Sequence, residues 1–511
     1  MQQQHQALVL ISKMVKIPPL KALSLVNSSI NQPGLVLRPK ISSFMYESVI
    51  IAYILSGSTE QALFYFEQTV NKGIVIEPNV FNTLLKSFVK SSSFEKALLF
   101  FNETKGKIKL DMYSFGIMIK SCCEAGELDK GFELLSELEE TGFDPNVVVY
   151  TTLIDGCCKN GDVERAKLLF NKMGELGLVA NEFTYTVLIN GFFKKGRKKD
   201  GFKLFEKMKI DGVLPNLYTY NCVMNEWCNE GKIDQAYQLF DEMRERGIVC
   251  NVVTYNTLIG GLCKELKVLE ANKLVDQMKR GGISPNLVTY NTLIHGFCSV
   301  KKMNKALSLF EQLKSNGLSP SLVTYNILVQ GYANSGNWVA VADLVKEMEE
   351  RGISPSKVTY TILISSHVRN GDMEKAFYFY SSMESIGLVP DAHVYGVLLH
   401  GLCMKGHMKE ASKLFRSMKF EASDVIYNTM INGYCKEGSS FRALRLVKEM
   451  EDLGLVPNVA SYSSTIGVLC NDGKWQEAET LLNKMRELGL EPTVSIYNLV
   501  SKTKYGTELS H

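Results

Sequence analysis

An aromatic residue returns along this chain at a nearly fixed interval, and that interval decides most of what the chain can fold into. Tyr46, Phe81, Phe115, Tyr150, Tyr185, Tyr220, Tyr255, Tyr290, Tyr325, Tyr360, Tyr395, Tyr427, Tyr462 and Tyr497 are spaced 35 residues apart, except for one step of 34 (Phe81 to Phe115) and one of 32 (Tyr395 to Tyr427). Self-similarity of this length marks a stack of supersecondary units. Other residue types keep the period. Met173, Met208, Met243 and Met278 form one series, resumed by Met348 and Met383, and a glycine recurs from Gly142 to Gly387. Pro145, Pro215, Pro285, Pro320, Pro355 and Pro390 each follow such a glycine by three residues. Boundaries drawn just ahead of each aromatic give thirteen tandem repeats over 43–493. Residues 494–511 then form a partial C-terminal repeat or cap, and 1–42 a degenerate capping repeat, a targeting segment, or both.

One unit shows the expected local structure. In 252–286, Tyr255, Leu258, Ile259 and Leu262 follow the i, i+3, i+4, i+7 spacing of a helical face. A turn is expected near Lys264–Lys267. Val268, Ala271, Leu274, Val275 and Met278 then make a second amphipathic stripe, which Gly282 stops and Pro285 keeps from continuing. Neither helix can bury its stripe alone, but stacked neighbours bury both. The expected fold is therefore all-α: an α-solenoid superhelix of helix–turn–helix repeats with a groove. Small residues recur on the second helix (Ala166, Ala236, Ala271, Ala306, Ala376) and let neighbouring helices approach.

Composition narrows the classes. Apolar residues make up 45% and charged residues 22% of 511, which excludes a disordered chain, a collagen-like fibre and a small disulfide scaffold. No apolar run is long enough for a membrane span. Lys and Arg number 57 against 54 Asp and Glu, so nucleic-acid binding would need a local stripe. Of 12 cysteines, Cys123, Cys158, Cys228, Cys263, Cys298, Cys403, Cys435 and Cys470 each follow their aromatic by eight residues. A recurring helical position reads as a small buried hydrophobe, not a bridge, in keeping with a reducing compartment. His393, His400, Cys403 and His407 are the one metal-like grouping, and read as groove and surface residues; neither metal nor cofactor is expected. The run Lys194, Lys195, Arg197, Lys198 and Lys199 reads as a solvated turn ahead of a nuclear signal. Residues 1–46 lack Asp and Glu but hold Lys13, Lys16, Lys21, Arg38 and Lys40, as a transit peptide does. Leu8–Val15 and Leu20–Ile30 also read as a worn helix pair, with targeting carried here or by a longer leader.

The segment Val253-Thr254-Tyr255-Asn256-Thr257-Leu258-Ile259, repeated letter for letter from Val288 to Ile294, resembles the start of a pentatricopeptide repeat. Near-uniform 35-residue units look like the P class of that family. The resemblance implies sequence-specific binding of single-stranded RNA in a plant organelle, one base per repeat, without catalysis. Unpaired bases expose edges that side chains at a fixed place can read. It further implies a role in transcript processing, through intron splicing or transcript stabilisation. The expected compartment is the mitochondrion, with the chloroplast as alternative, and splicing or processing proteins are the expected partners, with no membrane.

The resemblance also implies residue roles. Base readout falls to the fifth and last residues of each repeat: Asn82/Asp111, Thr151/Asn181, Thr186/Asn216, Asn221/Asn251, Asn256/Asn286, Asn291/Ser321, Asn326/Ser356, Thr361/Asp391 and Asn428/Asn458. The second residues Val148, Val253, Val288, Val323, Val358 and Val425 would wedge between bases. Lys90, Lys159, Lys194, Lys264, Arg369 and Lys436 would face phosphate. The family code then gives a target of roughly U-A-A-A-Y-Y-C-C-G-N-Y. Glu47/Glu77, Gly396/Ser423 and Ser463/Thr493 depart from the pattern, and Gly116/Asn146 reads only weakly. Helix capping is the alternative account of the fifth and last residues, since Asn, Thr and Asp all cap well, but capping alone does not explain why Asn and Thr segregate from repeat to repeat, which favours readout. Two rival functions remain: a protein-binding helical-repeat scaffold, and an RNA-cleaving or editing enzyme that would need a carboxylate or zinc constellation beyond the repeats.

Overall fold

Glycine stands at the tenth position of many repeats, and a side chain from the preceding repeat fills the space it leaves. In the computed structural model, which describes residues 39–91, 94–418 and 422–508, a Cβ added to Gly156 would lie 2.3 Å from Cys123 Sγ. The same atom on Gly191 would lie 2.4 Å from Cys158 Sγ, on Gly296 2.6 Å from Cys263 Sγ, and on Gly433 2.5 Å from Cys403 Sγ. No side chain fits there, so successive first helices approach until the thiol meets the backbone. The cysteines are free and mostly buried. Burial pushes the thiols of Cys123, Cys158, Cys263 and Cys298 up to about 12, so they act as inert apolar groups.

The described residues form 27 helices, beginning at Pro39–Leu55 and ending at Val494–Glu508. They sort into two compact units that meet at the 250/251 boundary in the sequence. Within each unit the helices pair as hairpins, for example Val147–Asn160 with Val163–Glu175, and Val252–Lys264 with Val268–Arg280. First helices pack on the next first helix, and most second helices lie against both their own first helix and the following one. Each unit is thus a two-layer α-solenoid. Among the described residues no helix is long and apolar enough to cross a membrane.

The aromatic ladder lies in the core between layers. Tyr150, Tyr220, Tyr325 and Tyr462 are fully buried, yet their hydroxyls reach carboxylates at the rim: Glu139 at 3.2 Å, Glu242 at 2.8 Å, Glu347 at 3.1 Å and Glu451 at 2.8 Å. Burial and these carboxylates push the phenols up. The methionine and alanine series are wholly buried on the second helices. The helix-ending glycine takes the left-handed conformation expected of it, as Gly282 does at φ +77.

Departures from the period have local causes. Where Phe193 replaces the cysteine, Glu226 replaces the glycine, and the junction is filled by Phe202 stacked on Trp227 at 3.7 Å and by Lys198 paired with Glu226 at 2.7 Å. Where Ala333 stands in for the cysteine, Ser366 stands in for the glycine. The 32-residue step reflects a second helix of only 10 residues, Met408–Ser417. The basic run at 194–199 spans the end of a first helix, the turn and the start of a second helix, but its cations are not merely solvated: Arg197 binds Glu164 and Asp200, and Lys198 binds Glu226. The helix Pro39–Leu55 runs across the boundary placed at 42/43. Leu8–Val15 and Leu20–Ile30 lie outside the described residues.

The glycine–cysteine contact predicts strong coupling. Gly156→Ala should destabilise the chain by about 1–3 kcal/mol through overpacking. Adding Cys123→Ala should recover much of that loss, so a double-mutant cycle read by urea unfolding should show a coupling above about 0.5 kcal/mol. Additive effects would show that the contact does not set helix spacing.

Candidate nucleic-acid interface

At 3.6 residues per turn, the second, fifth, ninth and thirteenth residues of a first helix share one face. The structure gives that face a consistent make-up. Its second residues are exposed although apolar: Val148, Val253, Val288, Val323, Val358 and Val425 are 57–67% accessible. Isolated apolar residues on a surface need no explanation, but a row of them repeated in register does. Tyr113, Phe183 and Tyr218 occupy the same position and are equally exposed. The valine series passed over these three aromatics, which residue position alone would have found. Lys86 stands over the Tyr113 ring at 4.5 Å.

The last residue of each repeat is the N-cap of the next first helix. Asn181 Oδ1 accepts from the Thr184 amide at 2.9 Å, Asn216 from Thr219 at 2.9 Å, Asn286 from Thr289 at 3.0 Å, and Asn458 from Ser461 at 2.8 Å. Ser321, Ser356, Asp111, Asn251 and Asp391 cap likewise. The fifth residues do not cap. They lie one turn inside the helix, buried or half-buried, which corrects the capping account for that half of each pair. Thr151, Thr186 and Thr361 donate to the carbonyls of Val147, Glu182 and Lys357 at 2.6, 2.6 and 2.7 Å.

Fifth and last residues nevertheless meet. Asn82 Nδ2 donates to Asp111 Oδ1 at 3.1 Å, and Asn256 Nδ2 to Asn286 Oδ1 at 3.3 Å. Asn428 Oδ1 accepts from the Asn458 amide at 3.1 Å. At several junctions a fully buried hydroxyl at the third position of the next repeat reaches the fifth residue. Thr289 Oγ1 donates to Asn256 Oδ1 at 2.7 Å, and Thr359 Oγ1 to Asn326 Oδ1 at 2.8 Å. Thr184 lies 2.7 Å from Thr151, and Thr219 2.5 Å from Thr186. Sequence reasoning missed this third residue, although the Thr of Val-Thr-Tyr was in view. Where Val394 replaces it, Asp391 Oδ1 caps the amides of His393 and Val394 at 3.1 Å, and Oδ2 bonds no described residue. Asn221 and Asn291 are half-buried, with Oδ1 unpartnered. Burial pushes the Asp111 carboxyl up, but hydrogen bonds from Asn82 and Ser114 outweigh it and hold the group below the usual carboxylate range. The departing first repeat has its own device: Glu47 Oε1 accepts from the Glu77 amide at 2.9 Å.

The cations stand at the thirteenth position, in the last turn of the first helix, where a positive charge also suits the helix dipole. They are exposed. Lys90 and Lys194 make no ion pair with a described residue. Lys159 is held by Asp155 at 2.7 Å, which raises its ammonium above the ordinary value. Lys436 Nζ reaches Met404 Sδ at 3.0 Å, and Arg369 reaches Ser366 at 3.3 Å. One groove of the first unit gathers the residue types together: Phe183 and Tyr218, Thr186 and Asn216, Lys159 and Lys194. In the second unit, Val425, Arg369, His393 and His400 line a comparable groove.

The chain belongs to the PPR repeat family. The model of that family matches 111–159, 145–194, 181–228, 215–264, 251–299, 285–334, 320–369, 358–404 and 422–471. A PPR repeat model also matches 80–107, 393–421 and 460–490. Among curated relatives, pentatricopeptide repeat-containing protein At4g11690 of Arabidopsis thaliana is 54% identical over 108 residues, 21% of this chain and 19% of the relative. At1g80150 of the same plant, named mitochondrial, is 35% identical over 108 residues, 21% of this chain and 27% of the relative. At5g48730, named chloroplastic, is 27% identical over 112 residues, 22% of each. The chain thus spans about a fifth to about a quarter of the curated relatives it matches. The crystal structure of PPR10 from maize aligns over 98% of this chain and 86% of its own, at 23% identity and a TM-score of 0.47.

The buried third-position hydroxyl gives a test of the site's construction. Thr289→Val should remove a capping partner and leave Asn256 Oδ1 unpaired, at a cost of about 1–3 kcal/mol. Thr257→Val, which loses only an outward bond to the Val253 carbonyl, should cost less than about 0.5 kcal/mol. Thermal unfolding of both variants checks the difference.

Proposed function

We propose that this chain binds single-stranded RNA in a sequence-specific manner and acts without catalysis in the maturation of plant organellar transcripts. One observation carries the reading. At junctions between repeats, an exposed apolar side chain, a polar pair from two successive repeats and a cation at a helix end recur together. A base entering between second-position side chains would stack on valine or an aromatic ring, and its pairing edge would meet the pair. The cations would follow the backbone. The relatives' names, one mitochondrial and one chloroplastic, support an organelle; the mitochondrion is the proposed one. A P-class role in intron splicing or transcript stabilisation would follow from occupancy alone, since a bound strand is kept from nucleases and from mispairing.

About five phosphate contacts would give log affinity against log salt a slope of about −3 to −4 on single-stranded RNA. Lys194→Ala should lower the magnitude by about 0.7, and Lys159→Ala by less, because Asp155 already holds that ammonium. A slope near zero would point to a protein partner instead.

The address is tested by comparing an oligonucleotide containing AAYYCCG with its reverse, and by one repeat in isolation. At Thr361/Asp391 the carboxylate can only accept hydrogen bonds, and guanine offers donors on its pairing edge. Thr361→Asn should switch the preference at that nucleotide from G to U and leave its neighbours unchanged. Since Thr361 caps nothing, stability should hold. Four oligonucleotides differing at that base decide the matter: a variant that still prefers G, or no preference in either protein, removes this repeat from the readout.

A further inference from the structure

Several neighbouring second helices are tied across repeats by ion pairs. Lys172 meets Glu139 at 2.9 Å, Lys209 meets Glu242 at 2.9 Å, Lys314 meets Glu347 at 3.2 Å, and Lys484 meets Glu451 at 2.7 Å. The junction between Met408–Ser417 and Ser440–Asp452 is built otherwise. Lys409, Lys413 and Arg416 from one helix, and Arg442 and Arg445 from the other, line a single cleft. Glu449 is the one carboxylate lining it among the described residues, and it accepts from the Tyr427 hydroxyl at 3.1 Å. Arg442 reaches Glu437 at 3.5 Å and lies over Tyr434. Lys409, Lys413, Arg416 and Arg445 make no hydrogen bond or ion pair with described residues. Five cations around one carboxylate leave an excess of positive charge in the cleft, and the repulsion is relieved when an anion enters.

We propose that this cleft is a docking site for an acidic peptide segment of a partner protein, one that carries apolar side chains among its carboxylates. Charge complementarity selects the acid. Phe441, 71% exposed at the mouth, with Met430 and Tyr434 at the floor, selects the apolar component. The geometry argues against RNA. On the helix Asp424–Lys436, Val425, Asn428, Asn432 and Lys436 share the face of the candidate RNA interface, whereas Met430 and Tyr434 lie on the opposite side. A strand following the first-helix face would not enter this cleft. The site is therefore independent of the RNA reading. It would let the chain hold RNA with one layer and a protein with the other.

The test uses the full chain and a short fluorescein-labelled peptide of Glu residues interspersed with Leu and Phe, read by anisotropy. The control peptide has Gln for every Glu. The acidic peptide should bind in a salt-sensitive way and the control should not. Lys413→Glu with Arg445→Glu should weaken peptide binding by about tenfold or more while leaving single-stranded RNA affinity unchanged. The same reversal at Lys273 and Lys279, exposed on another second helix, controls for net charge and should have little effect. Phe441→Ala should weaken the peptide several-fold. If the reversal variant fails to fold by circular dichroism, Lys413→Ala with Arg445→Ala replaces it. Absent peptide binding, equal binding by both reversal variants, or a loss of RNA affinity in place of peptide affinity would each overturn the proposal.

Discussion

Everything else in each unit depends on how closely one first helix can lie against the next. That distance is set where a thiol meets a helix backbone that carries no side chain, as Cys123 meets Gly156 and Cys158 meets Gly191. Close-packed interiors tolerate neither a void nor an extra methyl group at such a point. The substitutions come in matched pairs for this reason. A smaller Ala333 faces a larger Ser366, and the larger Phe193 fills the space left at Gly201, where a Cβ would lie 2.4 Å from its ring, while Glu226 is drawn to Lys198. The rule is complementarity of volume between neighbouring repeats, not retention of one residue type.

Close approach has a chemical consequence at the other end of the same helices. It brings the fifth residue of one repeat against the N-cap of the next, near enough for a direct bond in Asn82/Asp111 and for a bond through Thr289 to Asn256. Each polar pair is therefore drawn from two hairpins, and at Thr151, Thr186, Asn256 and Asn326 a buried hydroxyl of the next repeat reaches the fifth residue. An Asn or Asp cap has two polar side-chain atoms. Oδ1 closes the helix, and the remaining amide or carboxylate oxygen keeps its own hydrogen-bonding character. Capping and recognition are thus not competing accounts of Asn181, Asn286 or Asp391.

Charge is distributed with the same economy. A net charge of +3 conceals several first helices that end in cations and several second helices joined by ion pairs. Surface pairs of this kind contribute little individually. Among the junctions without such a pair, the one at Lys413 and Arg445 differs in setting five cations around a single carboxylate.

Much of this was legible in the sequence because a repeat states its design many times. The 35-residue interval determined hairpins, the apolar stripes determined which faces are buried, and the recurring cysteine determined a packing role. Register also named the positions that gather on one face, since a helix returns to the same side every 3.6 residues. Only tertiary structure decided what those positions touch. It showed that Thr361 and its counterparts do not cap, that Thr289 and Thr359 join residues from two repeats, and that Lys159 is already paired while Lys194 is not. It also placed Tyr113, Phe183 and Tyr218 among the exposed second residues. The physical reason is common to all of these. Periodicity records the environment a position shares with its equivalents, whereas a hydrogen bond between residues 33 apart depends on the distance between two particular helices, which their packing sets.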